Sequence, residues 1–177
     1  MEDGSYILSE CKRLKEVKAT SSLPEMIEAE GMYKNCTSLV SDMMEEYPEL
    51  MYANQMYSGC VSLLKVKSTF KVLEDVEYFF ANCKMIKISD ISGQFPVIKH
   101  ATGMFEGCVR MDKVVGTFNK LDTANDMFSG CVGLKTISMT CPLLQSVARM
   151  FKECSPIGVV KFDAPQVNDF TEFLMDS

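Results

Sequence analysis

The chain has 177 residues, 47% of them hydrophobic and 24% charged, which is too apolar for a disordered segment and long enough to bury a real core. Its net charge of −6 argues against general nucleic-acid binding. No run approaches the ~18–20 apolar residues that a membrane helix needs, and the start, MEDGSYILSECKRLKE, lacks the pattern of a secretory leader. The expected location is therefore cytoplasmic or within an assembly as written, and the cell surface if a leader was removed.

Taken in chain order, the same unit recurs. Ile7-Leu8 precede Cys11, and Leu14 follows it. Met32-Tyr33, Cys36 and Leu39 repeat that arrangement, followed by Met56-Tyr57, Cys60 and Leu63, then Phe79-Phe80, Cys83 and Ile86. Met104-Phe105, Cys108 and Met111 come next, then Met127-Phe128, Cys131 and Leu134, and Met150-Phe151, Cys154 and Ile157. The steps between these anchors are 25, 24, 23, 25, 23 and 23 residues, and a further step of 23 lands on Ser177 after Phe173-Leu174. Cys141 alone stands outside the anchor series. A small or apolar residue stands seven before most anchors, an apolar one ten before, and Pro24, Pro48, Pro96, Pro142 and Pro165 stand twelve before theirs.

In LEDVEYFFANC the apolar residues Leu73, Val76, Phe79 and Phe80 share one face of a short helix if the segment is helical. Proline before it suits a first helical turn. The Asn or Gly before the anchor (Asn35, Gly59, Asn82, Gly107, Gly130) suits a left-handed helix end. After the anchor, Leu63 and Val66, or Leu134, Ile137 and Met139, predict a very short strand. Asp42 and Ser89 break that strand pattern and suggest a register shift in their coils. A unit of about 23 residues cannot bury its apolar stripe alone, whereas stacked copies share one continuous core.

The units MYKNCTSL, MYSGCVSL, MFEGCVRM and MFSGCVGL resemble the BspA-like class of leucine-rich repeats, in the branch reading Met-Phe-x-x-Cys-x-x-Leu. The resemblance covers essentially the whole chain. It implies one α/β domain over residues 1–177, a right-handed solenoid of 7–8 coils of 23–25 residues. One parallel sheet of short strands would face short helices on the other side. It also implies a non-enzymatic protein- or glycan-binding module used in adhesion. The alternative is a structural part of a larger assembly, such as a phage virion or a surface array.

The cysteine column reads as core, because free Cys behaves as a small hydrophobe and no closely spaced zinc-ligand pair occurs. The anchors are expected reduced, and Cys108→Ser is expected to strand a hydroxyl in an apolar site. His100 is the single histidine and reads as a loop or surface residue; no phosphate loop or nucleophile elbow occurs, so neither an enzyme nor a cofactor is implied.

Positions four, five and seven after the anchor should face outward on the concave side. They hold Lys15, Lys18, Lys65, Lys67, Lys87, Lys113, Lys135 and Lys161 against Glu16, Asp90 and Asp112. Such lysines either protect exposed strands from aggregation or form a basic groove for an acidic protein or glycan. Solenoid ends need polar caps, and this sequence shows none. Phe170, Phe173 and Leu174 are therefore a candidate assembly patch for another copy or a partner.

Overall fold

The computed structural model describes residues 2–18, 23, 25–44, 46–88 and 91–176. It is a parallel β-solenoid of about six turns. Strands β1 (Glu16–Val17), β2 (Ser41–Asp42) and β3 (Lys65–Val66) form one three-stranded parallel sheet. Strands β4 (Lys113–Thr117), β5 (Thr136–Thr140) and β6 (Val159–Asp163) form a second. The expected single sheet is thus divided. In chain order a helical turn, α1 (Ile91–Gln94), comes between β3 and β4 and packs on β4. On another side of the coils, single-residue parallel bridges join Asp3, Glu28, Tyr52, Asp75, His100, Thr123, Ser146 and Asp169 in one ladder.

The segment before each anchor is not the short helix that its apolar spacing predicts. It is a run of overlapping turns. Around Cys83, the N–H groups of Phe79, Ala81 and Cys83 each bond the carbonyl three residues back. The N–H groups of Val76, Tyr78, Phe80 and Asn82 instead bond His100, Thr102, Met104 and Glu106 in the next coil. Alternation requires left-handed residues one and five before the anchor, and all of these have positive φ, among them Tyr78 (54°), Asn82 (61°), Asp126 (55°) and Arg149 (56°). Each non-glycine there costs roughly 1–2 kcal/mol, offset by satisfying the backbone on both sides. Glycine is required for space as well at Gly103, where a Cβ would lie 2.3 Å from the Tyr78 ring. The prolines serve the following corner, not a helix start. Pro48, Pro142 and Pro165 take the second position of turns closed by Leu50 on Tyr47, Leu144 on Cys141 and Val167 on Ala164. Pro24 and Ser89 lie outside the described residues.

The core is one cluster running the length of the array. Its spine is an aromatic column: Tyr33–Tyr57 at 5.2 Å, Tyr57–Phe80 at 5.5 Å, Phe80–Phe105 at 5.4 Å, Phe105–Phe128 at 5.7 Å and Phe128–Phe151 at 5.5 Å. A shorter column stacks Tyr47, Phe70 and Phe95. Cys141 belongs to that second series, thirteen before its anchor, where Leu23, Tyr47, Phe70, Phe95, Phe118 and Ala164 stand in other coils, and it is buried.

Every anchor thiol after Cys11 makes a bond that composition does not reveal. Cys36, Cys60, Cys83, Cys108, Cys131 and Cys154 donate S–H to the carbonyls of Leu8, Tyr33, Tyr57, Phe80, Phe105 and Phe128, at 3.0–3.2 Å. At Cys108→Ser the new hydroxyl would therefore meet the Phe80 carbonyl and would not be orphaned, which corrects the reason expected for its cost. Burial pushes the thiols of Cys60 and Cys141 up to about 12 and that of Cys154 up to about 11. Only the thiolate reacts. A thiol reagent at neutral pH should thus label the half-buried Cys11 in the folded chain, and the buried thiols only after unfolding, as counted by intact mass. Rapid native labelling of Cys83 or Cys108 would contradict a closed core.

Candidate functional site

In the strands, alternate residues point to opposite sides. Lys65 and Lys67 are exposed around buried Val66, and Lys113 and Val115 flank buried Val114. Pairing carries these outward positions across coils. Lys65 lies beside Ser41, which lies beside Glu16. Thr136 lies between Lys113 and Val159, and Ser138 between Val115 and Lys161. Lys15, Lys18, Lys65, Lys67, Lys87, Lys113, Lys135 and Lys161 are all exposed, and Lys65, Lys113 and Lys161 stand in β3, β4 and β6. Asp90 lies outside the described residues.

Lys87 and Lys18 each meet a carboxylate nearby. Lys87 Nζ meets Asp112 Oδ2 of the next coil at 2.7 Å, and that contact leads the causes holding the Asp112 carboxyl below its ordinary range. Lys18 meets Glu16 at 3.4 Å. Beside the polar Ser41, Thr136 and Ser138, exposed aliphatic residues stand among the lysines. Val40, Leu64, Val115 and Val159 are 40%, 48%, 37% and 48% exposed. The arrangement offers dispersed positive charge over an aliphatic ground. Among the described residues, no group of three or more His, Cys, Asp or Glu is placed to hold a metal ion, and no helix is long and apolar enough to cross a membrane.

At the C-terminal end, Phe170 and Leu174 are 53% and 49% exposed. Phe173 is half-buried, edge-on to Phe151 at 5.2 Å and against Phe162 at 5.5 Å. Val160 takes the position that is fully buried as Val114 and Ile137, yet it is 45% exposed.

The register shift suggested by Asp42 does not occur. Asp42 pairs with Val17 and Val66 and sits fully buried in the core position. The Tyr57 and Tyr47 hydroxyls donate to its Oδ2, the latter at 3.1 Å, and the Met44 N–H donates to Oδ1 at 2.9 Å. The Tyr33 hydroxyl lies 3.4 Å from that of Tyr47. Burial is the largest effect on the carboxyl and raises its pKa against these bonds. The cluster is sealed from solvent, so it serves the fold and no bound molecule. Its signal was in the sequence: the aromatic column is Tyr at 33 and 57, beside Asp42, and Phe at 80, 105, 128 and 151.

A family model described as the BspA type leucine rich repeat region matches in 6 copies, over residues 2–109 and 33–158. No curated protein and no solved structure matches the chain.

Proposed function

Because the chain belongs to the BspA-type leucine-rich repeat family, we propose that it is a non-enzymatic binding module whose strand face grips an acidic protein partner. The observation that carries this reading is the strand face itself, with exposed lysines standing on Val40, Leu64 and Val115. Carboxylates with aliphatic neighbours complement such a face. A glycan would favour aromatic platforms, and the outward strand positions among the described residues hold none. The repeat count of 7–8 coils is supported by the eight linked residues of the bridge ladder.

A 20-residue peptide of alternating Glu and Val, followed by fluorescence anisotropy, tests the reading against polygalacturonate, an acidic glycan. The peptide should bind saturably and more weakly as salt rises. Changing Lys65, Lys67 and Lys113 to Glu should weaken it at least tenfold, about 1.4 kcal/mol, without altering the melting temperature. Tighter binding of the glycan would replace the protein partner with a saccharide.

A second reading, an assembly component, is favoured by the exposure of Phe170 and Leu174. Packing that patch with Phe173 against another copy would bury core-type residues. Phe170→Asp should then abolish self-association in sedimentation. A chain that is monomeric with and without the substitution would remove this reading.

A further inference from the structure

Along the corner formed by the turns after each strand runs a trough that the strand-face reading does not use. Two grooves of about 330 and 290 Å³ meet there and share Glu49 and Met51. The apolar lining is Ile27, Met51, Val72 and Val97, and Met51 and Val72 are 42% and 38% exposed. Residues ten before the anchor, such as Leu50, Leu73 and Ile98, are buried, and the residues on either side of them project outward as the two banks. The charge is sorted along the trough. Glu2, Glu25 and Glu49 stand at one end, and Lys120 stands at the other. In the middle Lys99 is paired with Glu74 at 2.7 Å and Lys71 with Glu46 at 2.9 Å, so the centre is close to neutral.

We propose that this trough seats an extended peptide of another protein. A cationic residue lies at the Glu2 and Glu49 end, apolar side chains cover Met51, Val72 and Val97, and an acidic residue reaches Lys120. The charge order selects the occupant. An Arg or Lys lays its aliphatic stem on Ile27 and Met51 while its head meets carboxylates. The dimensions agree. From Glu25 to Lys120 is four coil steps at ~4.8 Å, about 19 Å, and an extended chain covers that in roughly six steps of ~3.3 Å. Alternate residues face the same way, so positions one, three, five and seven of a heptapeptide would meet the acidic end, the two apolar stations and Lys120.

The test uses a fluorescein-labelled heptapeptide with capped ends, Arg-Ser-Leu-Ser-Leu-Ser-Asp, in anisotropy titrations at low salt. Saturable binding with a Kd below about 1 mM is expected. Met51→Asp and Glu49→Lys should each weaken it at least tenfold, with circular dichroism showing both variants folded. Lys113→Glu on the strand face should leave it unchanged, which separates this site from the one proposed above. No saturation, or equal binding of Glu-Ser-Leu-Ser-Leu-Ser-Glu, overturns the proposal. So does undiminished binding by Met51→Asp. A concentration-dependent dimer that Met51→Asp abolishes overturns it too, because the trough would then be covered by a second copy.

Discussion

Replacing Phe105 by Ala should destabilise the chain by about 3–5 kcal/mol, the range for emptying a large aromatic position in a closed core. Phe105 is fully buried and stacks on Phe80 and Phe128 at once. In a solenoid each unit contacts only its neighbours, so stability is a sum over coils and the surfaces between them. The vacancy weakens two of those surfaces in the middle of the array, leaving the hydrogen bonds between the coils to span a poorly filled core. Urea denaturation gives the magnitude. Phe170→Ala supplies the contrast, since its ring is half exposed and should cost under about 1 kcal/mol. Equal losses at the two positions would mean that the stacked column does not hold the coils together.

That column was legible because the core repeats. Met-Phe or Met-Tyr before five of the anchors, and Phe79-Phe80 before Cys83, mark the same place in their coils, and the parallel ladders put those places in line. Cys141 was legible too, once compared with Phe118 twenty-three residues earlier instead of with the other cysteines. The turn segment was misread for a physical reason. Apolar residues at 73, 76, 79 and 80 satisfy a helical face, yet overlapping turns bury the same positions. The feature that separates the two is the positive φ five before the anchor. Residue type does not announce it, because Tyr78, Asp126, Arg149 and Glu172 all adopt it. The trough left no such column in the sequence. Its lining comes from coils whose outward residues differ in kind, Glu49 in one and Val72 in the next, so no column of like residues reveals it.

Tyr57→Phe should cost about 2–3 kcal/mol at pH 7, because it removes a hydrogen-bond donor from a buried carboxylate. The hydroxyl is one of three donors on Asp42, and nothing replaces it in the packed core. The loss should shrink on acidification, and the sign follows from the carboxyl. Burial raises the Asp42 pKa in the folded chain above the ordinary value of ~3.9. The folded state therefore binds a proton in the interval where the unfolded state does not, and stability attributable to this group falls as pH rises through the raised value. A protonated Asp42 no longer holds an uncompensated charge, so the missing Tyr57 donor matters less. Asp42→Asn removes the titration altogether. The difference between it and the native chain isolates Asp42 from Glu77 and Glu106, which burial also raises, and from Glu10 and Glu74, which hydrogen bonds lower. Urea titrations over a pH series from acid to neutral on the native chain, Tyr57→Phe, Asp42→Asn and the double variant complete the cycle. In the Asp42→Asn background, Tyr57→Phe should cost less than about 1.5 kcal/mol and the same amount throughout the series. If its cost instead stays at the native figure, or the native-background deficit does not change with pH, the Asp42 carboxylate is not the charge that the Tyr47 and Tyr57 hydroxyls are there to hold.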